Sequence, residues 1–211
     1  MGKRFFSPEV LERDCNNGDF DACNTLAQMY AKGKGVPKDH ARAMELYLRA
    51  CEGGVAEACT RLAAKLETGG GVPKDMERAA IFYEKACMAG DAQSCYKLGR
   101  LYELGKDLPK DNAAAMRFYE MACEAGDPVG CFRLGFLHEE AASMDPKAIA
   151  KLYRRACEAG YSRACARLSE MYAEGLGIPA NTRKSIMYQR KACEAGDPVG
   201  CFRLGFLHEE A

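Results

Sequence analysis

DAQSCYKLGRLYELGKDLPKDNAAAMRFYEMACEAG, residues 91–126, is the stretch that decides the fold of this chain. From Asp91 to Leu104 its apolar and small residues recur at helical rather than alternating spacing. Residues 105–110 break this pattern, and Asp111 then stands where the N-cap of a second helix is expected. That helix continues to Cys123, and Gly126 can adopt the left-handed conformation that follows a helix C-terminus. The stretch predicts two helices joined by a short loop.

The same arrangement recurs along the whole chain and is marked by cysteine pairs with seven residues between them. The first cysteines of successive pairs are 36, 36, 36, 34 and 36 residues apart. A fixed period of this length is typical of a solenoid, in which each repeat buries its apolar face against its neighbours. The pairs are Cys15 and Cys23, Cys51 and Cys59, Cys87 and Cys95, Cys123 and Cys131, Cys157 and Cys165, and Cys193 and Cys201.

Helix boundary signals support one all-α solenoid domain over residues 1–211. The predicted N-caps of the second helices are Asp39, Asp75, Asp111, Asp145 and Asn181. We predict an N-terminal helix over 7–17, five full repeats over about 19–195 and a capping helix over 197–211. No strand pattern and no interdomain linker is present in the sequence.

The composition of the chain argues against nucleic acid and membranes as partners. Lys plus Arg and Asp plus Glu are balanced at 30 each, so the sequence has no net charge that would favour nucleic acid or an anionic membrane. No apolar run approaches the length of a membrane-spanning helix. Lys3 and Arg4 are not followed by an apolar segment, so the start is not a signal peptide as written.

The repeats resemble those of the Sel-1-like family, which is related to the tetratricopeptide repeats. The resemblance covers the chain from about Ser7 to its end and rests on Leu98-Gly99-x-Leu101-Tyr102-x-x-Gly105, on the Gly-Val-Pro-Lys-Asp loops at 35–39 and 71–75, and on residues 83–90. It implies a right-handed α/α superhelical solenoid of 36-residue helix-turn-helix repeats. Cysteines at this spacing resemble the Helicobacter cysteine-rich protein subfamily, which implies penicillin binding or weak β-lactamase activity as an alternative function.

The sequence allows three roles for the cysteine pairs: disulfides, reduced core cysteines and zinc ligands. Each pair lies across the turn between successive helices, where the side chains can approach as closely as a disulfide requires. Reduced cysteines would instead fill small buried positions, and zinc would need four ligands where each pair supplies two. We favour disulfides, and therefore a secreted or periplasmic protein whose leader is absent from this sequence; reduced cysteines would indicate the cytoplasm.

The sequence gives little evidence of catalytic residues. Ser94-Cys95-Tyr96-Lys97 matches the Ser-x-x-Lys pattern of penicillin-recognising enzymes, but the Ser-Asp-Asn and Lys-Thr-Gly elements are absent. Lys97 also occupies a position that holds Arg or Lys in other repeats, including Arg61 and Arg167. Phosphate-loop, zinc-protease and dinucleotide motifs are absent as well. We therefore expect no catalytic residue, no metal site and no cofactor.

A groove that binds protein or peptide is the function we expect. In related helical repeats the first helix of each repeat lines the concave face. By this analogy, the positions that line the groove are two residues before the second cysteine of each pair and one, five and eight residues after it. Aromatic side chains there would suit a peptide anchor, although the same rings would also pack between adjacent first helices. The predicted groove residues are Asn24, Gln28, Thr60, Gln93, Tyr96, Arg100, Phe132, Phe136 and Glu170.

One 20-residue segment occurs twice, because residues 122–141 and 192–211 are identical. Recent duplication and deliberate engineering both explain the identity, and an engineered stability scaffold without a natural partner is therefore a third functional class. An apolar face formed by Phe202, Leu204, Phe206 and Leu207 of the last helix would be exposed. Such a face usually marks a contact, so we expect self-association through this helix.

Overall fold

The computed structural model describes residues 7–209, with side chains described for residues 7–202 and 204. This part of the chain contains twelve α-helices and no strand, which confirms the predicted all-α fold of repeated helix pairs. The helices are α1 (Pro8–Asn16), α2 (Phe20–Lys32), α3 (His40–Glu52), α4 (Ala56–Thr68), α5 (Met76–Met88), α6 (Ala92–Leu104), α7 (Asn112–Glu124), α8 (Pro128–Glu140), α9 (Pro146–Glu158), α10 (Ser162–Glu174), α11 (Thr182–Glu194) and α12 (Pro198–Glu209).

The helices belong to two compact units, Met1–Asp111 and Asn112–Ala211. The first unit contains α1–α6 and the second contains α7–α12. Within each unit every helix packs against the next one along the chain, which is the nearest-neighbour pattern of a repeat protein. That residues 1–211 form a single domain stays a prediction.

Capping side chains and glycines set the helix boundaries. Oδ1 of Asp39 and of Asp75 accepts hydrogen bonds from the backbone three residues ahead, at 2.9 and 3.0 Å. Asn181 caps α11 in the same way. At the other end of a helix, Gly105 follows α6 with φ +62°, a left-handed conformation that costs glycine little because it has no Cβ.

Each unit has a core of small side chains, leucines and one buried tyrosine per second helix. Tyr83, Tyr119 and Tyr153 are fully buried at equivalent positions of α5, α7 and α9. Close approach to one of these rings requires a glycine, because a Cβ at Gly135 would lie 2.9 Å from Cε1 of Tyr153. The repeat therefore alternates large rings with small residues on the helices that face them.

All twelve cysteines form disulfides. Each bond joins the end of one helix to the start of the next, with Cα–Cα distances of 4.4–4.8 Å. Each closes a loop with a sequence separation of eight residues, for which chain entropy gives about 2–3 kcal/mol of stabilisation. The bonded pairs are the six that the sequence spacing defines: Cys15 with Cys23, Cys51 with Cys59, Cys87 with Cys95, Cys123 with Cys131, Cys157 with Cys165, and Cys193 with Cys201.

The six bridges differ in their exposure to solvent. Both cysteines of each of the first five bridges are buried. Among them, Cys23, Cys131 and Cys165 are at most 1% exposed. Cys201 in α12 is exposed, and its partner Cys193 is partly exposed. The sequence pattern is the same in all six pairs and did not indicate this difference, because burial depends on the helices that pack against each bridge. Reductant therefore reaches the bridge of Cys193 and Cys201 more readily than the other five.

Within residues 7–209, no helix is long and apolar enough to cross a membrane.

Candidate functional site

Two of the predicted groove residues in the first unit support the helices around them. Asn24 is 5% exposed, and its Nδ2 donates a 2.8 Å hydrogen bond to Oε2 of Glu57 in α4. Nε2 of Gln28 donates to the same oxygen at 3.5 Å. Hydrogen bonds from Arg61 and then Asn24 lower the pKa of the Glu57 carboxyl, so this carboxylate is held in its ionised form between α2 and α4.

Thr60 is also engaged within the fold. Its hydroxyl lies 3.1 Å from Oδ2 of Asp91 and 2.9 Å from the hydroxyl of Ser94. The most exposed of the predicted groove residues in this unit lie on α6. There Gln93 and Arg100 are exposed and Tyr96 is partly buried. These three residues follow one face of the helix, because residues three and four apart are neighbours on a helix surface.

An aromatic pair lies on α8 in the second unit. The rings of Phe132 and Phe136 are stacked at 6.4 Å between centroids, and both side chains are partly exposed. Phe132 also packs against Tyr161 at 5.1 Å and Tyr153 at 5.4 Å. The guanidinium of Arg133 lies 5.5 Å from the centroid of Phe136. Phe132 is thus anchored by neighbouring rings, and Phe136 extends the aromatic surface along the helix.

Charged groups border this pair on α8 and α10. Arg167 donates hydrogen bonds to both oxygens of Glu139 and, at 3.1 Å, to Oε2 of Glu170. The hydroxyl of Tyr153 donates to Oε2 of Glu139 at 2.7 Å. Burial would raise the pKa of the Glu139 carboxyl, but the hydrogen bonds from Arg167 and Tyr153 outweigh it and lower the pKa. We call Phe132, Phe136, Glu139, Arg167 and Glu170 the α8–α10 face.

The first unit contains an equivalent tyrosine–glutamate–cation cluster. The hydroxyl of Tyr83 donates to Oε2 of Glu67 at 2.5 Å, and Nζ of Lys97 donates to that hydroxyl at 2.9 Å. Burial and then the hydrogen bond to Glu67 raise the pKa of the Tyr83 phenol. These clusters were not predicted from the sequence, although the recurrence of Tyr, Glu and Lys or Arg at the repeat period is a signal that could have revealed them.

The Ser-x-x-Lys residues lie in packing positions. Ser94 is fully buried, and its backbone N–H is capped by Asp91. The ammonium of Lys97 lies 3.6 Å from Oε2 of Glu67 and 2.9 Å from the Tyr83 hydroxyl, both residues of other helices. A nucleophile needs an exposed hydroxyl beside a base. This arrangement does not favour acylation of Ser94.

The C-terminal helix is described only in part. Phe202 is 67% exposed and Val199 is 55% exposed, whereas the side chains of Phe206 and Leu207 lie outside the described residues. Among the described residues no group of three or more His, Cys, Asp or Glu side chains is arranged to hold a metal ion.

This protein is an α-helical repeat protein. Its described residues, 7–209, form repeated helix pairs joined by tight turns and contain no strand. The Sel1 repeat family model matches it five times, over residues 20–55, 56–91, 92–127, 128–161 and 162–197. The chain belongs to the Sel1 repeat family, as the sequence resemblance predicted. A search of curated proteins found no significant match.

Several solved structures are similar to this chain. A protective antigen of uropathogenic Escherichia coli, c5321, which displays an SLR fold, is 25% identical with a TM-score of 0.82. The match covers 96% of this chain but only 44% of the antigen, so the chain spans less than half of that protein. A Sel1 repeat protein from Oxalobacter formigenes is 26% identical, with a TM-score of 0.71 over 92% of this chain and 79% of that one. Helicobacter pylori cysteine rich protein B is 26% identical over 61% of this chain and 98% of its own, with a TM-score of 0.45.

Proposed function

We propose that the α8–α10 face binds a segment of a partner protein without catalysing a reaction. The observation that carries this proposal is the stacked, partly exposed pair of Phe132 and Phe136. Aromatic side chains are enriched among the residues that contribute most to binding, because they bury a large area with few rotatable bonds. An apolar side chain of the partner would cover the pair.

Charged side chains beside the pair would orient the bound segment. Arg167 is held between Glu139 and Glu170, so its position is set before a partner arrives. Preorganised groups lose little conformational entropy on binding. A polar rim around an apolar centre is the usual composition of such contacts.

In the first unit we propose that Gln93, Tyr96 and Arg100 on α6 form a second contact surface of the same kind. Gln93 and Arg100 are exposed on either side of Tyr96. Asn24 and Thr60 contribute instead by holding adjacent helices in register, through Glu57 and Asp91 respectively. The proposed contact residues lie on the helices that the repeat pattern assigned to the groove, and Asn24 and Thr60 support those helices.

We also propose that the protein works in an oxidising compartment, secreted or periplasmic. Six disulfides account for every cysteine in the chain, and such bonds persist outside the reducing cytosol.

The binding proposal is tested with peptides selected on the immobilised wild-type protein from a displayed random library. Their affinity is then measured by calorimetry for wild type, Phe136→Ala and Phe132→Ala/Phe136→Ala. Phe136→Ala separates binding from folding, because Phe132 also packs against Tyr153 and Tyr161. We expect a loss of affinity of about tenfold or more for either variant.

The matched control is Ile81→Ala/Met88→Ala, which removes two exposed apolar side chains from α5. This variant should bind the selected peptides as wild type does. Wild-type affinity in both Phe136 variants would refute the α8–α10 face as the binding site.

A further inference from the structure

A second candidate site lies mainly on the second helices of the second unit and shares no residue with the α8–α10 face. A cavity of about 320 Å³ is lined by α9, the end of α10, the segment 178–181 and α11. This volume falls within the range of ligand pockets, roughly 300–1,000 Å³. Its apolar floor includes Leu168 and Ile178, both buried. Tyr172 and Tyr188 form one wall, with their rings stacked at 5.7 Å.

Four cations surround this floor: Lys147, Lys151 and Arg154 on α9, and Lys184 on α11. All four side chains are exposed, and none of them forms an ion pair within the described part of the chain. No Asp or Glu is among the described residues that line the cavity. We call these four residues the basic rim.

The basic rim is not a requirement of the repeat. Three repeats earlier, the equivalent positions on α3 and α5 hold Ala41, Glu45, Leu48 and Arg78. That set has one cation and one anion where the cavity between α9 and α11 has four cations. The repeat therefore folds without this concentration of positive charge, even though the whole chain is balanced at 30 basic and 30 acidic residues.

Two of the four cations, Arg154 and Lys184, interact with the tyrosine wall of the cavity. Nζ of Lys184 lies 5.0 Å from the centroid of the Tyr172 ring. Burial, then Tyr172, and also Glu158 raise the pKa of the Tyr188 phenol, whereas the charge of Arg154 lowers it. Positive charge held close to an apolar floor favours a ligand that combines an apolar group with anionic groups.

The spacing of the rim distinguishes between anionic ligands. Lys147 and Arg154 are seven residues apart on one helix, which separates them by about 10 Å along its axis. One phosphate group cannot contact both ends of such a row. An extended chain advances about 3.3–3.6 Å per residue, so acidic side chains within about three residues of each other reach both ends.

We propose that this cavity binds an acidic segment of a partner protein, in which an apolar side chain fills the floor and flanking Asp or Glu residues meet the basic rim. The site stands independently of the α8–α10 face, because no residue is shared between them.

The test uses a labelled peptide with one leucine flanked on both sides by Asp and Glu, and a counterpart in which Lys replaces the acidic residues. Fluorescence anisotropy measures binding to wild type, to Lys151→Glu/Arg154→Glu and to Arg183→Glu/Arg190→Glu at low ionic strength, where screening is weak. Arg183 and Arg190 are exposed on α11 but do not line the cavity, so the second double variant changes net charge equally.

We expect wild type to bind the acidic peptide and not the basic one. Lys151→Glu/Arg154→Glu should weaken binding by about tenfold or more, and Arg183→Glu/Arg190→Glu by less than about twofold. Equal loss in the two variants would overturn the site, since overall charge would then explain binding. Failure of wild type to bind the acidic peptide would overturn the choice of ligand.

Discussion

The hydroxyl of Tyr153 in α9 donates a 2.7 Å hydrogen bond to Glu139 in α8, and the same carboxylate accepts hydrogen bonds from Arg167 in α10. One carboxylate therefore joins three consecutive helices. In the first unit the carboxylate of Glu67 joins α4, α5 and α6 through Tyr83 and Lys97. Hydrogen bonds to charged groups contribute more to stability than neutral ones. These clusters connect successive repeats at positions where the disulfides do not.

Removing the Tyr153 hydroxyl should destabilise the second unit. We expect Tyr153→Phe to lower the free energy of unfolding by about 2 kcal/mol, because a hydrogen bond to a charged group is lost from a buried position. Urea unfolding followed by circular dichroism measures the change. Tyr47→Phe is the comparison variant: Tyr47 is buried at the equivalent position of α3, but Ala31 stands where Glu139 stands in the later repeat, and the Tyr47 hydroxyl has Arg61 as its hydrogen-bond partner instead of a carboxylate. An equal loss in both variants would show that the carboxylate contributes nothing specific.

Acid should weaken the same cluster. The pKa of Glu139 is lowered in the folded protein, because hydrogen bonds from Arg167 and Tyr153 outweigh the effect of burial. Because the pKa is lowered, ionised Glu139 stabilises the fold at pH values above the pKa of the unfolded state, about 4.3. This contribution is lost as the pH falls through the pKa of the folded state. Unfolding free energies measured from pH 7 down to about 3 should therefore fall more steeply for wild type than for Glu139→Gln.

The control for this titration is Glu140→Gln, which removes a neighbouring exposed carboxylate from the same helix end. Its stability should follow the wild-type curve. If Glu139→Gln followed that curve too, ionised Glu139 would have no part in the acid sensitivity.

The repeat architecture was predictable from sequence because its signals are local. Cysteine spacing, the capping side chains Asp39 and Asp75, and glycines after the helices all act within a few residues along the chain. The cluster around Glu139 was not predictable in this way, since Tyr153 and Arg167 lie 14 and 28 residues further on. The burial of Asn24 was missed because the groove positions were taken from related repeats, and they did not include its contact with Glu57.

The disulfides should be complete in the protein as purified without reductant. All twelve cysteines are paired, so alkylation in denaturant should label none of them, whereas prior reduction should expose all twelve to the reagent. Intact-mass spectrometry counts the labels. Replacing Cys87 and Cys95 with alanine should lower the free energy of unfolding by about 2–3 kcal/mol, the entropy of closing a loop of this length. Labelling of unreduced protein would instead indicate reduced core cysteines.

Ser94 should not react with β-lactams. Its side chain is fully buried, its hydroxyl lies 2.9 Å from that of Thr60, and Lys97 is engaged with Tyr83 and Glu67. Incubation with a penicillin followed by intact-mass spectrometry should show no covalent adduct. An adduct that forms on wild type and disappears in Ser94→Ala would establish the acylating alternative, and it would require the helix around Ser94 to open.

A comparison of two identical segments leads us to expect self-association through α12. Residues 122–141 and 192–211 have the same sequence, yet Phe132 packs against Tyr153 and Tyr161 whereas Phe202 is 67% exposed. A second copy of the chain can cover this exposed ring. We expect the mass measured by light scattering to rise with protein concentration, and Phe202→Glu to suppress the rise. Met88→Glu, at an apolar residue that is 70% exposed on α5, should leave it unchanged. A monomeric mass at the highest concentration would rule out this contact.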